Sequence, residues 1–174
     1  MSARPGIALA VGVALGLAAA ACASPAAAPA QPIAFDHALH ATVVLDDGPL
    51  ACTACHAGAE RGVHAGLPAL STCLRCHMRP QGDPPTEDEA LVRAFAMSGA
   101  PLQWVQVTRN PGHVYFSHRA HVLGADMSCA ECHGDVTTWT SPPSRPERRL
   151  TRMAACQGCH RARGAPVDCA TCHR

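Results

Sequence analysis

The chain has 174 residues, a formal net charge of +1, 3% aromatic residues, 14 glycines and 15 prolines. That length allows one ordinary domain or two very small ones, and so few aromatics exclude a conventional apolar core, so staples such as disulfides, metals or cofactors are required. The charge balance gives no support for a nucleic-acid partner, and every basic residue is arginine, whose planar fork suits carboxylate pairing.

Residues 1–22 read as an export signal. Arg4 supplies a short positive start, and Ile7 to Ala21 is apolar but short for a membrane span. Ala19-Ala20-Ala21-Cys22 has the form of a lipoprotein cleavage site, with lipid on Cys22; cleavage after Ala23 or Ala30 and a retained anchor are the alternatives. Residues 23–32 read as a flexible tether.

Residues 33–82 form a first module. It opens on Phe35-Asp-His37-Ala-Leu-His40 and continues with Cys52-Thr-Ala-Cys55-His56 and Cys73-Leu-Arg-Cys76-His77. Residues 83–112 form a linker in which Leu91, Val92, Phe95 and Ala96 recur at helical spacing. Thr86 and Glu89 fit a capping box, and Gly99 and Pro101 stop the run, so the linker predicts a helix over Glu87 to Ser98 whose role is packing. Trp104 to Thr108 is β-like, and Asn110-Pro111-Gly112 predicts a turn. Residues 113–174 form a second module: Phe116-Ser-His118-Arg-Ala-His121, then Cys129-Ala-Glu-Cys132-His133, Cys156-Gln-Gly-Cys159-His160 and Cys169-Ala-Thr-Cys172-His173. The shared opening points to duplication of one unit. Arg145, Arg148, Arg149 and Arg152 cluster before the fourth cysteine pair, as propionate partners, a docking face or a solvated face.

Ten of eleven cysteines thus lie in five copies of C-x-x-C-H, the attachment signature of haem c. Two thiols three positions apart add to the two vinyl groups of one porphyrin, and the next histidine reaches the iron. Zinc would use two cysteine pairs per metal without a histidine after each, a redox dithiol would sit in a βαβ context, and a disulfide framework would not demand the histidine. The expected cofactors are five haems c, attached outside the cytoplasm. His56, His77, His133, His160 and His173 are the proximal ligands.

Six histidines remain: His37, His40, His64, His113, His118 and His121. Iron that only transfers electrons generally takes two strong axial ligands, so the surplus suits six-coordinate iron. Each F-x-H-x-x-H places two rings on one helical turn, where one can serve the haem nearest in sequence and the other the next. Two such pairs supply four distal ligands. Met153, His64 and His113 are candidates for the fifth, and a thioether there would raise that haem's potential.

The second module resembles the class III multihaem cytochromes c, the cytochrome c3 and c7 group, in its F-x-H-x-x-H followed by three C-x-x-C-H. That resemblance implies a mostly irregular fold of short helices packed around the haems, with little or no β-sheet. It implies that His118 serves the Cys129/Cys132 haem and His121 the Cys156/Cys159 haem. By analogy, His37 serves the Cys52/Cys55 haem and His40 the Cys73/Cys76 haem. Over nearly all of the mature chain, PIAFDHALHA, CTACH, AGLPALSTCLRCH, the W-V-Q-V segment, VYFSHRAHV, CAECHGDV and RMAACQGCHR resemble the pentahaem subunit of alternative complex III and related quinone reductase complexes. That family implies Met153 as fifth distal ligand. It also implies partner subunits of iron–sulfur, molybdopterin-enzyme-like and quinol-binding type, at the periplasmic side of a bacterial membrane. The expected function is electron transfer within such a complex, not catalysis by the chain itself. A free or lipid-tethered c7-type shuttle is the second reading. A multihaem reductase is the third, and it would need an iron with an open position.

Overall fold

The computed structural model describes residues 29–145, 150 and 152–173. The export signal with Cys22, residues 23–28 of the tether, Arg148 and Arg149 lie outside the described residues. The helices are α1 (His37–Ala41), α2 (Leu70–His77), α3 (Glu87–Ser98), α4 (His118–Val122), α5 (Cys129–His133), α6 (Met153–Ala162) and α7 (Cys169–Cys172), with short 3-10 turns at Cys52–Ala54, Ala57–Ala59 and Val136–Thr138. A two-stranded hairpin, β1 (Val44–Leu45) with β2 (Gly48–Pro49), pairs Val44 with Pro49 and Leu45 with Gly48. The expectation of short helices, irregular connections and almost no sheet agrees with this architecture. No helix among the described residues is long and apolar enough to cross a membrane.

Short polar caps explain why such brief helices form where they do. The Asp36 side chain accepts from Leu39 N at 2.7 Å and opens α1; Ser117 Oγ accepts from Ala120 N at 3.2 Å and opens α4. The residue between phenylalanine and the first histidine is therefore an N-cap in both modules, a signal the spacing argument overlooks. Each cap fixes the turn on which two histidines stand. Asp36→Ala and Ser117→Ala should each cost about 1 kcal/mol, read as a lower Tm of the haem-loaded protein. Ser128 and Glu131 start α5 with a full capping box, Ser128 N donating to Glu131 Oε1 at 2.9 Å. Four of the five cysteine motifs lie on α2, α5, α6 and α7, and the first on the Cys52–Ala54 turn. On such a turn two cysteines at i and i+3 and a histidine at i+4 share one face.

The linker helix α3 has the predicted bounds. Thr86 caps it and Gly99, at φ 69°, ends it in the left-handed conformation. Only half of the expected capping box forms. Thr86 Oγ accepts from Glu89 N at 3.1 Å, but the Glu89 carboxylate accepts from His77 Nδ1 and Gln81 N, each at 3.2 Å. The β-like stretch at Trp104 to Thr108 forms no strand. Its edge is satisfied by a side-chain amide: Val105 N donates to Gln31 Oε1 and Gln31 Nε2 donates to Val105 O, both at 2.9 Å. The expected turn closes one residue later, with Val114 N donating to Pro111 O at 2.9 Å.

Ile33, Val92 and Leu102 form a small buried cluster, with Leu70, Leu74, Phe95 and Trp104 packed against it. It sits where α2 meets α3, and Trp104 Nε1 donates to Pro68 O at 3.0 Å across it. No large side chain among the described residues is fully buried. Side-chain burial alone cannot hold a chain of this length with so little interior, so bound groups must complete the core.

The two modules interlock reciprocally. Helix α1 of the first packs on the Val136–Thr138 turn of the second, with Ala38 N donating to Trp139 O at 2.9 Å. Helix α4 of the second packs on the Ala57–Ala59 turn of the first, with Arg119 N donating to Gly62 O at 3.1 Å and His118 N to Val63 O at 3.4 Å. Each histidine-bearing helix thus rests on the turn that follows the other module's first cysteine motif.

Candidate metal centres

The interlock and the caps bring the histidines together in pairs. His40 and His77 have ring centres 6.1 Å apart, His118 and His133 6.3 Å with planes 3° apart, and His121 and His160 6.1 Å. Two metal–nitrogen bonds of about 2.0 Å, with about 1.1 Å from each ligating nitrogen to its ring centre, place two axial imidazoles about 6.2 Å apart. The three pairs match the span across one iron. His37 and His56 are close enough that a charge on His56 helps lower the His37 pKa, after burial, which is the larger cause; His40 lowers it further and Asp36 opposes. His133 is likewise lowered, by burial first and then by His118 and His56. Both shifts favour neutral imidazole, the form that ligates metal.

The ring hydrogen bonds select the ligating nitrogen. Nδ1 of His40 meets Asp36 O at 2.7 Å, that of His56 meets Gly66 O at 2.7 Å, and that of His118 meets Val63 O at 2.9 Å. Nδ1 of His121 meets Ser117 O at 2.8 Å and that of His160 meets Pro166 O at 2.6 Å. A carbonyl only accepts, so Nδ1 carries the hydrogen and Nε2 keeps its lone pair for a metal. The Phe35 ring stacks on His40 at 4.3 Å and stands edge-on to His37 at 4.8 Å; Phe116 repeats this with His121 at 4.6 Å and His118 at 4.9 Å. One phenylalanine therefore orients two diverging rings.

His173, the histidine of the last motif, has a different neighbour. The His113 ring stacks on that of His173 with centres 5.3 Å apart and planes at 24°. A backbone zipper brings them there: Val114 pairs with His173 as an antiparallel bridge, and Tyr115 N donates to Cys172 O at 2.7 Å. Met153 opens α6 and is 59% exposed, and His64 is also exposed.

The ten motif cysteines are unbridged. Burial pushes the thiols of Cys55, Cys73, Cys129 and Cys156 up, with neighbouring cysteines adding to the effect. Among the described residues no group of three or more His, Cys, Asp or Glu is arranged to hold a metal ion by itself. The donor set is thus paired histidines with paired thiols beside one of them, which is what a covalently attached porphyrin iron needs. Cys52 lies near enough to Cys129 to help raise its thiol, Arg75 donates to Ala54 O at 2.9 Å, and Glu131 pairs with Arg163. These contacts join the first motif to the third, the second to the first, and the third to the end of the helix that carries the fourth. Arg145 lines a small cleft with His133 and Trp139.

The chain is 32% identical over 146 residues to the multihaem cytochrome c subunit of menaquinone reductase from Nitratidesulfovibrio vulgaris, covering 75% of this chain and 67% of that protein. The chain belongs to the multihaem cytochromes c. Residues 114–174 also match the family described as cytochrome c7 and related cytochrome c, which is the segment that opens on Phe116-Ser-His118 and carries three cysteine motifs. Multihaem cytochromes c hold haem covalently and transfer electrons. In this cytochrome the chain's own residues supply the thiols, fix the ring tautomers and pack the surrounding turns. The haem iron supplies the one-electron chemistry.

Proposed function

We propose that this cytochrome carries five haems c and passes electrons as the multihaem subunit of a membrane-associated quinone reductase or quinol-oxidising complex. The count of five rests on the five C-x-x-C-H motifs, and the observation that supports paired axial histidines is the set of three ring pairs spaced for one iron: His40 with His77, His118 with His133, and His121 with His160, at 6.1 to 6.3 Å. His37 with His56 completes the first centre. His113 is the distal ligand we assign to the fifth in place of Met153, because its ring stands beside that of His173; at 5.3 Å the two rings must part by about 0.9 Å to admit the iron. The attachment thiols are Cys52 and Cys55, Cys73 and Cys76, Cys129 and Cys132, Cys156 and Cys159, and Cys169 and Cys172.

The contacts between motifs support a linear order in space: second, first, third, fourth, fifth. The second motif touches the first through Arg75, the first touches the third through Cys52 and Cys129, and the third touches the fourth through Glu131 and Arg163. The Cys172 thiol raises that of Cys156, linking the fifth motif to the fourth. The two ends of this order are the second and fifth motifs, which makes them the natural points of entry and exit. The likeness to a menaquinone reductase subunit supports partner subunits in a complex, and the resemblance to the pentahaem subunit of alternative complex III points to iron–sulfur, molybdopterin-enzyme-like and quinol-binding ones. The chain sits at the periplasmic side of the membrane, tethered through lipid on Cys22.

Pyridine haemochrome analysis should give five haems per chain, and intact mass should show a lipidated N-terminus at Cys22; an N-terminus at Ser24 or Gln31 would rule out the lipid. Native electrophoresis of gently solubilised membranes, with haem staining and mass spectrometry, tests the assembly. Migration in a large complex with quinol-binding subunits supports the reading. Migration near the chain's own size would make it a tethered shuttle of the c7 type, an alternative with which the match over residues 114–174 is also consistent.

A further inference from the structure

Glu89 differs from the other ring Nδ1 partners described for these histidines. The ring Nδ1 atoms of His40, His56, His118, His121 and His160 meet neutral backbone carbonyls. Nδ1 of His77 meets the Glu89 carboxylate at 3.2 Å. That carboxylate comes from the linker helix α3, outside both haem-binding modules. It abandons its place in the helix cap to reach His77, and its side chain is only 9% exposed. Arg93, one turn later, donates to the same oxygen, while the second oxygen is buried without a hydrogen-bond partner. Packing of α3 on α2 through Val92 and Phe95 holds this triad in register.

We propose that Glu89 is a positioning residue that sets the redox potential of the second-motif centre by way of His77, with Arg93 as the opposing control. An anion on Nδ1–H draws the proton toward itself and leaves more electron density on Nε2. The ligand becomes more basic and favours the oxidised iron, so the potential falls. A carbonyl exerts the same pull more weakly, which distinguishes this centre from those of His56 and His160. Arg93 shares the carboxylate and moderates its pull. The proposal rests on the five-haem reading above and assigns the lowered potential to one end of the order of centres.

The test is a spectroelectrochemical titration of the haem-loaded full chain in three variants. Glu89→Gln should raise one of the five potentials, by about tenfold in its one-electron equilibrium constant, about 59 mV. Arg93→Gln should lower the same potential. Glu87→Gln, which removes a charge from the same helical turn without touching His77, should move none. An unchanged set of potentials in Glu89→Gln with all five haems retained would overturn the proposal. So would shifts of the same sign in the Glu89 and Arg93 variants, which would indicate loosened packing, or an equal shift in Glu87→Gln, which would indicate charge acting through space. Should Glu89→Gln lose haem, the sign of the Arg93→Gln shift decides. A wild-type chain with fewer than five haems would instead remove the reading on which the proposal stands.

Discussion

If His113 is the distal ligand proposed for the last motif, replacing it with alanine should open one haem iron. The ferrous variant is expected to bind carbon monoxide at about one haem per chain, and the wild type at none. The expectation follows from the ring stacking of His113 on His173 and from the zipper of Val114 and Tyr115 on the last motif. Loss of a strong axial ligand leaves a five-coordinate iron, which accepts a small diatomic ligand. Met153→Ala is the companion measurement and should leave the protein closed to carbon monoxide, because the His113 ring already stands beside His173. Carbon monoxide binding in Met153→Ala with none in His113→Ala would return the fifth position to the thioether suggested by family resemblance.

Gly58→Ala should cost about 1–3 kcal/mol, the range for forcing an extra methyl into a packed site. An added Cβ at Gly58 would stand 2.1 Å from His64 O and 2.8 Å from Ala65 O, both backbone atoms that cannot swing aside. Gly58 lies in the Ala57–Ala59 turn on which α4 rests, and Gly58 N donates to Ala65 O at 3.0 Å. Pushing that loop away would unseat Gly62 and Val63, the acceptors for Arg119 N and for both the backbone N and ring Nδ1 of His118. The damage in the first module should therefore appear in the second, as a perturbed His118 centre. A thermal melt with resolved haem spectra reads both effects. Gly62→Ala is the control, since nothing stands within 4 Å of its added Cβ. A melt unchanged from wild type in Gly58→Ala would contradict the interlock.

Much of the site was legible before the fold. The five C-x-x-C-H motifs carry their chemistry in consecutive residues, so covalent haem needs no tertiary information. The two F-x-H-x-x-H segments are also local: helical periodicity sets two rings on one turn, and Asp36 and Ser117 cap those turns by short-range hydrogen bonds. The linker helix followed from its own punctuation by Thr86, Gly99 and Pro101. Trp104 to Thr108 misled the sequence argument because β-propensity describes a surface awaiting a partner, and the partner here is the amide of Gln31, 74 residues away.

Composition, motif spacing and capping residues determined by themselves that this chain is a multihaem cytochrome of short helices, because each of those features acts within a few residues. Three things were decided only by the tertiary structure. The exchange of α1 and α4 between modules arises from backbone hydrogen bonds between segments more than 50 residues apart, such as His118 to Val63. The meeting of His113 with His173 depends on a bridge between the start of the second module and the last motif. Glu89 reaches His77 only because α3 packs on α2, turning a carboxylate that the sequence assigns to a helix cap toward a ligand's ring nitrogen. In each case local spacing names the donors and acceptors, and long-range packing chooses which of them meet.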